Sequence, residues 1–257
     1  MSRLKGKVVL ITGASSGIGE ACARRFASHG SDLVLVARRR ERLESSKTSL
    51  EKEYGVRVLV ETLDVRDRQA VNAFGDRLQV ENRVPDVLVN NAGLASGLSP
   101  IFEGDPEDWD RMIDTNVKGL LNVSHRIIPM MVARDSGHII NIGSIAGHIV
   151  YPLGNVYNAT KFAVRALNEA MNIELVGTKI RVSCVDPGVT ATEFSAVRFH
   201  GDRAKAEAVY KGFKPLTGDD IADAICYVAS VPDHVNVLDM IVMPTAQRSP
   251  YVLHRDE

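Results

Sequence analysis

The sequence contains few of the residues that build disulfide scaffolds or zinc clusters. Its only cysteines are Cys22, Cys184 and Cys226, which lie far apart and show no paired spacing. The seven histidines show no ligand spacing either, so we expect no metal site. Long apolar runs are also missing, because the N-terminal run at residues 8–11 is much too short for a signal-peptide core or a membrane span. These absences predict a soluble, metal-free protein of the cytoplasm.

Charge of one sign is not in excess. The chain has 31 basic and 32 acidic side chains and a formal charge of −1, which gives no reason to expect nucleic acid or a membrane surface as a partner. Hydrophobic residues make up 45% of the sequence, enough for a substantial core. No linker rich in proline, glycine or serine divides the chain, so residues 1–257 are predicted to form a single domain.

Short β-branched runs alternate with longer helical patterns along the chain. Several of these runs are apolar nearly throughout, which is typical of strands covered by helices on both faces. The alternation predicts an α/β fold of the Rossmann type, a doubly wound seven-stranded parallel sheet with helices on both faces. Ligands bind such a sheet beyond the carboxyl ends of its strands. The predicted strands lie at residues 7–13, 32–38, 57–65, 86–93, 138–144, 180–188 and 235–244.

A glycine-rich turn, TGASSGIGE, follows the first predicted strand. Its glycines permit a tight turn and let a pyrophosphate approach the backbone, while the helix that starts there points free N–H groups at the anion. Glycines also serve as caps, and the spacing matches the common dinucleotide fingerprint only loosely, but a strand before and a helix after favour nucleotide binding. The residues predicted to contact the nucleotide are Gly13, Ser15, Ser16, Gly17, Ile18 and Gly19.

The end of the second strand indicates which nucleotide is bound. NAD-binding units usually have an acidic residue there to hold the ribose 2′-hydroxyl, whereas this chain has Arg38 and Arg39. A guanidinium can form paired hydrogen bonds to a 2′-phosphate, so the cofactor is predicted to be NADP(H). The alternative is the basic start of a surface helix. At the end of the third strand, Asp64 and Val65 are predicted to hold the adenine amino group.

Three further side chains suggest a site for proton transfer. Tyr157 and Lys161 are four residues apart, so a helix would place them on one face. A nearby ammonium, together with the positive charge of an oxidised nicotinamide, is expected to lower the pKa of the tyrosine. Ser144, at the end of a neighbouring strand, could hydrogen-bond a substrate oxygen. A tyrosine–lysine pair alone is common by chance, but its combination with Ser144 and the glycine turn favours a catalytic site.

The chain resembles the short-chain dehydrogenase/reductase family over essentially its full length. The motifs that carry the resemblance are TGASSGIG, NNAG, TNVKG, GSIAG, YNATK and DPGVTATEF. The resemblance implies that Tyr157 is the general acid in reduction and the base in oxidation, and that Lys161 tunes it and holds the nicotinamide ribose. It also implies that Ser144 positions the substrate carbonyl, and that Asn116 secures a water that relays protons. Because none of these four is missing, the resemblance argues against a non-catalytic relative.

The same resemblance implies further contacts and an assembly. Asn90 is expected near the adenosine ribose, and the residues expected beside the nicotinamide are Pro187, Gly188, Val189, Thr190 and Thr192. Two long helices, near residues 108–135 and 155–175, are expected to form a dimer face. Two such dimers would pair into a homotetramer with isologous contacts.

Several longer segments resemble one branch of the family, the NADP-dependent 3-hydroxy acid dehydrogenases, which includes serine/allo-threonine dehydrogenases and malonic semialdehyde reductases. This implies an oxidoreductase that transfers a hydride between the nicotinamide and the 3-carbon of a small hydroxy acid. The expected substrate types are serine, allo-threonine, 3-hydroxypropionate and 3-hydroxyisobutyrate. One alternative is a reductase for another carbonyl, such as a sugar, a pterin or a ketoacyl group. Another is a module that senses NADPH without turnover.

A 3-hydroxy acid carries a carboxylate, so its pocket requires a cation near Tyr157, which with Ser144 is expected to contact the substrate. Residues 190–215 are long enough to fold over the site as a substrate lid. Within them Arg198 lies in an apolar run, and its guanidinium could bind the carboxylate through two parallel hydrogen bonds. The alternative is an arginine that ties the lid to an acidic neighbour or contacts a cofactor phosphate. His148 and Tyr151 are weaker candidates for the same pocket.

Overall fold

A parallel sheet of seven strands forms the centre of the computed structural model, which describes residues 3–256. The strands run in the order β3-β2-β1-β4-β5-β6-β9, and each neighbouring pair is parallel. The remaining two form a small separate pair, β7 with β8. The strands of the described chain are β1 (Val8–Thr12), β2 (Asp32–Ala37), β3 (Val58–Thr62), β4 (Val87–Asn90), β5 (Gly137–Ile142), β6 (Ile180–Pro187), β7 (Thr190–Ala191), β8 (Leu216–Thr217) and β9 (Asp239–Val242).

Helices connect successive strands of the main sheet. A π-helical turn, Asp114–Gly119, joins α4 and α5, and a 3₁₀ turn, Ile145–Gly147, follows β5. In the part of the chain that is described, the α-helices are α1 (Gly17–Ser28), α2 (Arg40–Tyr54), α3 (Arg68–Val80), α4 (Pro106–Ile113), α5 (Leu120–Arg134), α6 (Asn155–Glu174), α7 (Phe194–Arg198), α8 (Arg203–Ala208) and α9 (Gly218–Ser230).

The helices bury both faces of the sheet in two hydrophobic clusters. Helices α1, α2 and α9 pack on one face around Phe26 and Ile225. Helices α3, α5 and α6 pack on the other face around Phe74 and Met131. Within β1, Ile11 belongs to the first cluster and its neighbour Leu10 to the second, because successive side chains of a strand point to opposite faces. The predicted doubly wound α/β fold with seven parallel strands is therefore confirmed.

The strand order places a ligand crevice at one edge of the sheet. The connections from β1 lead outward to β2 and β3, whereas β4, β5, β6 and β9 lie on the other side of β1. The order thus reverses between β1 and β4, and the carboxyl ends of these strands open onto a crevice. Of the helices in residues 3–256, none has both the length and the apolar character that crossing a bilayer requires.

The predicted lid, residues 190–215, forms a compact excursion from the sheet after β6. Its two ends are held together because β7 pairs with β8 in parallel. Between them lie the short helices α7 and α8. Backbone contacts tie the excursion to the rest of the chain, and the N–H of Gly97 donates to the carbonyl of Arg198 at 2.9 Å. The two-stranded pair was not predicted, because two-residue strands leave no periodicity in a sequence.

Candidate active site

A cavity of about 500 Å³ lies at the carboxyl edge of the sheet, between the strand ends and the excursion of α7 and α8. It reaches from the first glycine turn to the end of β6. It therefore lies where the strand order reverses, as expected for a nucleotide site. The predicted nucleotide-contacting residues that line it are Gly13, Ser15, Ser16, Gly17, Ile18, Arg38, Arg39, Asp64, Val65, Pro187, Gly188, Val189, Thr190 and Thr192.

The glycine turn has the shape of a cradle. Gly13 and Gly17 have φ angles of +67° and +57°, a region that side chains rarely adopt. A Cβ on Gly13 would lie 2.9 Å from the Cα of Ala92, so a side chain there would also clash. Gly19 does not line the cavity; a Cβ there would lie 2.5 Å from the carbonyl oxygen of Gly13. Gly19 therefore packs the helix against the turn, and the prediction that it contacts the nucleotide is not supported by its position.

Ser144, Tyr157 and Lys161 converge on the same cavity. Ser144 caps the 3₁₀ turn after β5, and its backbone N–H donates to Asp186 Oδ1 at 2.7 Å. Tyr157 and Lys161 lie one turn apart on α6, and the ammonium donates to the carbonyl of Ile142 at 2.8 Å. The fold thus brings the strand-end serine and the helical pair together across 13 residues of sequence.

Asn116 and Asn90 lie outside the cavity lining. Asn116 sits in the π-helical turn, where its side-chain amide donates to the carbonyl of Leu94 and its oxygen accepts from the N–H of Leu94, both at 2.8 Å. The amide of Asn90 donates to Ser124 and to Asn141, each at 3.0 Å. The buried side chain of Asn90 is thereby turned away from the crevice. That Asn90 lies near the adenosine ribose stays a prediction, while its side chain forms hydrogen bonds within the protein interior.

Burial raises the pKa of Tyr157, and the nearby Arg198 guanidinium and a hydrogen bond from Ser144 only partly oppose it. Lys161 is not among the groups that act on this pKa, so the expectation that its ammonium and an oxidised nicotinamide together lower the pKa of Tyr157 stays a prediction. Burial also lowers the pKa of Lys161, to about 8. Its ammonium nitrogen lies 5.9 Å from the centre of the Tyr157 ring. The cation that acts most strongly on the tyrosine is Arg198.

Arg198 lies over the ring of Tyr157. Its guanidinium carbon is 5.0 Å from the ring centre of Tyr157 and 5.2 Å from that of Phe194, and Nη2 donates to the hydroxyl of Tyr151 at 2.5 Å. Its Nε is buried and has no hydrogen-bond partner among residues 3–256. All four of these side chains line the cavity. The site thus combines a proton donor, a hydroxyl and an incompletely paired guanidinium.

Comparison with known proteins decides the family. A family model described as short chain dehydrogenase matches residues 7–202. The chain belongs to the short-chain dehydrogenase family. This dehydrogenase is accordingly an oxidoreductase that acts on a CH–OH group.

Close relatives match this dehydrogenase along almost its entire length. The NADP-dependent 3-hydroxy acid dehydrogenase YdfG of Salmonella typhi is 47% identical to it, covering 93% of this chain and 96% of the relative. Sulfoacetaldehyde reductase 2 of Chromohalobacter salexigens is 46% identical, covering 97% and 99%. Among solved structures, the closed form of serine dehydrogenase complexed with NADP⁺ has a TM-score of 0.90 and 43% identity, covering 96% of this chain and 99% of that one.

Glu193 and Gln247 are among the residues of the dehydrogenase's cavity that sequence reasoning missed. Glu193 accepts from Arg39 at 2.8 Å and from Arg42 at 2.7 Å, and so joins the start of α7 to α2. Gln247 accepts from the backbone N–H of Val189 at 2.9 Å. A glutamate 151 residues from its partner, or a lone glutamine, gives no pattern that would have marked either one.

His148 lies elsewhere than predicted. It does not line the cavity, whereas Tyr151, the other weaker candidate, does. Nε2 of His148 lies 3.3 Å from Oδ2 of Asp186, on the far side of the segment that carries Ser144. The prediction that His148 lines the substrate pocket is wrong, because the 3₁₀ turn after Ser144 directs the ring toward β6 and β9.

Proposed function

We propose that this dehydrogenase transfers a hydride between NADP(H) and the 3-carbon of a small 3-hydroxy acid. The observation that carries the proposal is the position of Arg198, whose guanidinium lies over Tyr157 with its buried Nε unpaired in the described chain. A carboxylate two carbons from the reacting centre could accept hydrogen bonds from this guanidinium while the carbonyl oxygen faces the tyrosine. An uncharged alcohol would leave the buried Nε of Arg198 unpaired.

The residues of the cavity suit NADP(H). The glycine cradle leaves room for a pyrophosphate, and Arg38 lines the cavity without a side-chain hydrogen bond to any residue in the described range. When bound, the nicotinamide supplies the hydride in reduction and accepts it in oxidation. Arg38 is thus a guanidinium available for the 2′-phosphate, whereas Arg39 already bonds Ser15, Ser16 and Glu193.

The side chains around the cavity each have a separate role in the proposed reaction. The Tyr157 hydroxyl donates its proton to the carbonyl oxygen in reduction and accepts one in oxidation. The Ser144 hydroxyl holds the same oxygen, and Lys161 anchors the cofactor ribose. Because burial keeps the phenol protonated near neutral pH, the chain alone favours the acid form that reduction requires. Asn116 supports the segment at Leu94 on the wall of the cavity.

The relatives support the chemical class of the substrate. One is named a 3-hydroxy acid dehydrogenase and another a sulfoacetaldehyde reductase, so both names describe small molecules that carry an anion. The test follows NADPH oxidation with malonic semialdehyde, sulfoacetaldehyde and uncharged aldehydes and ketones of similar size. We expect the carboxylate substrate to give the highest kcat/KM.

The other outcomes separate the alternatives. A preference for sugars, pterins or carrier-bound ketoacyl groups would contradict the 3-hydroxy acid assignment while keeping the reductase chemistry. A preference for sulfoacetaldehyde would support the anion-binding site but would show that the substrate is a sulfonate and not a carboxylate. Tight NADPH binding with no turnover of any carbonyl would indicate a sensing module.

Cofactor choice gives a separate prediction. We expect Arg38→Met to weaken NADPH binding by at least tenfold and NADH binding little, because a charge-assisted bond to the 2′-phosphate contributes roughly 1.5–3 kcal/mol. Arg39→Met is the matched variant, and we expect a smaller selective loss because Arg39 is already held by Ser15, Ser16 and Glu193. Dissociation constants from nucleotide fluorescence measure both. Equal losses of affinity for NADPH and NADH in Arg38→Met would show that a residue other than Arg38 recognises the 2′-phosphate.

Assembly into a homotetramer is a further part of the proposal. Helices α5 and α6 leave apolar side chains at the surface, among them Leu121, Val132, Phe162 and Ile173. Such a self-complementary face suits an isologous interface. We expect light scattering to give the mass of four chains, and Phe162→Glu to give smaller species. The control is Val80→Glu on α3, where the valine is 87% exposed and belongs to neither of these helices. A monomeric wild type would contradict the proposal.

We also propose that the dehydrogenase works in the cytoplasm. The cysteines Cys22, Cys184 and Cys226 are buried and free, which suits a reducing compartment. Fractionation of cells that express the protein would test this, and recovery outside the cytoplasmic fraction would contradict it.

A further inference from the structure

Three ionisable side chains meet beside Ser144, outside the lining of the cavity. His148 follows the 3₁₀ turn, Asp186 lies near the end of β6, and Asp239 begins β9. One ligand-type atom of each lies within 4.8 Å of the other two. The fold therefore places one imidazole and two carboxyl groups close together, although they come from three separate segments of the chain.

This cluster is short of hydrogen-bond donors, and the cations that act on it, Lys161 near Asp186 and Arg165 near His148, lie beyond ion-pair distance of its carboxyl groups. Nε2 of His148 and Oδ2 of Asp186 are buried without a hydrogen-bond partner in the described chain. Asp186 is only 1% exposed, and a buried carboxylate oxygen is costly unless a cation or a donor faces it. Among residues 3–256, no lysine or arginine lies within ion-pair distance of Asp186 or Asp239, and His148 is their shared neighbour.

Two of the three spacings between donor atoms are close to those around a metal ion. Nε2 of His148 lies 3.3 Å from Oδ2 of Asp186 and 3.7 Å from Oδ2 of Asp239. Zn²⁺ binds nitrogen and oxygen at about 2.0–2.2 Å in tetrahedral geometry, which places neighbouring donors roughly 3.3–3.6 Å apart. One imidazole and two carboxylates, with a fourth position open to water, are ligands that Zn²⁺ accepts.

We propose that His148, Asp186 and Asp239 bind a divalent transition-metal cation, with Zn²⁺ as the best match. Oδ1 of Asp186 already accepts from the backbone N–H of Ser144 at 2.7 Å. An ion on Oδ2 therefore ties the segment that carries Ser144 to β6 and β9. Its role is structural, since a ligand that binds only the folded chain stabilises it.

The first experiment measures metal binding directly. The purified protein is treated with a chelator, dialysed, and titrated with Zn²⁺ in competition with a chromophoric chelator. We expect one Zn²⁺ per chain and a rise in Tm that added chelator reverses. Co²⁺ is expected to bind in its place and to show the visible absorption of tetrahedral coordination.

Two variants and a control locate the ion. Asp239→Asn removes one ligand at the exposed edge of the cluster, where the fold is least at risk, and is expected to weaken Zn²⁺ binding at least tenfold. His148→Gln removes a second ligand from another segment and is expected to behave in the same way. The matched control is Asp233→Asn, an exposed aspartate outside the cluster, which is expected to bind Zn²⁺ as the wild type does.

The rival occupant of the cluster is a proton. Burial and the adjacent Asp239 raise the pKa of Asp186 to about 8, so the two carboxyl groups could share one. A wild type that takes up no Zn²⁺ at micromolar concentrations would overturn the proposal in favour of the proton. Equal Zn²⁺ binding by the wild type and Asp239→Asn would also overturn it, because the ion would then sit elsewhere on the surface.

Discussion

Replacing Tyr157 by phenylalanine is expected to lower turnover by about a hundred- to ten-thousandfold, the usual range for loss of a general acid. The substitution removes the hydroxyl and keeps the ring, which packs edge-on against Phe194 with centres 5.4 Å apart. The dissociation constant for NADPH should therefore change little. Single-turnover reduction of the best aldehyde substrate measures the chemical step, and nucleotide fluorescence measures binding.

Tyr151→Phe is the matched control for this substitution. Tyr151 lines the same cavity, but its hydroxyl is bonded to Arg198 at 2.5 Å. We expect its loss to raise KM for acid substrates much more than it lowers turnover. If Tyr157→Phe kept a tenth of the wild-type rate with chemistry limiting in both, Tyr157 would not be the proton donor.

The second large effect is expected for Arg198→Met. For a 3-hydroxy acid we expect kcat/KM to fall by at least about a hundredfold, because each of two charge-assisted hydrogen bonds contributes roughly 1.5–3 kcal/mol. For an uncharged alcohol of similar size the loss should be below about tenfold, since that substrate makes no such bond. Steady-state kinetics with both substrates and saturating NADP⁺ make the comparison.

Arg203→Met provides the control, because Arg203 is an exposed arginine at the start of α8 in the same excursion. We expect it to leave the ratio of the two kcat/KM values unchanged. Arg198 also opposes the rise in the pKa of Tyr157. If that were its main role, Arg198→Met would slow the turnover of both substrates equally and shift the pH profile of turnover to higher pH. This outcome would contradict the proposal that Arg198 binds the substrate carboxylate.

Local sequence patterns predicted the strands, the glycine turn and the helical pair that surround the site. The apolar runs predicted all seven strands of the main sheet, because a strand buried on both faces must be apolar at successive residues. The glycine turn was predicted from a strand before it and a helix after it, and Gly13 has the positive φ that such a turn requires. Tyr157 and Lys161 could be paired because α-helical periodicity places residues four apart on one face.

Long-range contacts and burial could not be predicted in the same way. The pKa of Tyr157 depends on how deeply the ring is buried and on Arg198, 41 residues away in sequence, which sequence spacing does not reveal. The side chain of Asn90 bonds Asn141 because of the register of β4 with β5, a contact that its motif alone does not reveal. Asp186, Asp239 and His148 lack ligand spacing because three separate segments supply them.

The sequence by itself determined the α/β fold and the glycine turn, and it marked Ser144, Tyr157 and Lys161 as candidates for proton transfer, since each depends on periodicity or on residues close together in the chain. Only the tertiary structure decided that Arg198 lies over Tyr157, that Glu193 joins Arg39 to Arg42, and that His148 faces Asp186. These pairings depend on where helices and loops pack on the sheet. Burial then raises the pKa of Tyr157 and lowers that of Lys161, because removing water disfavours the charged form of each group.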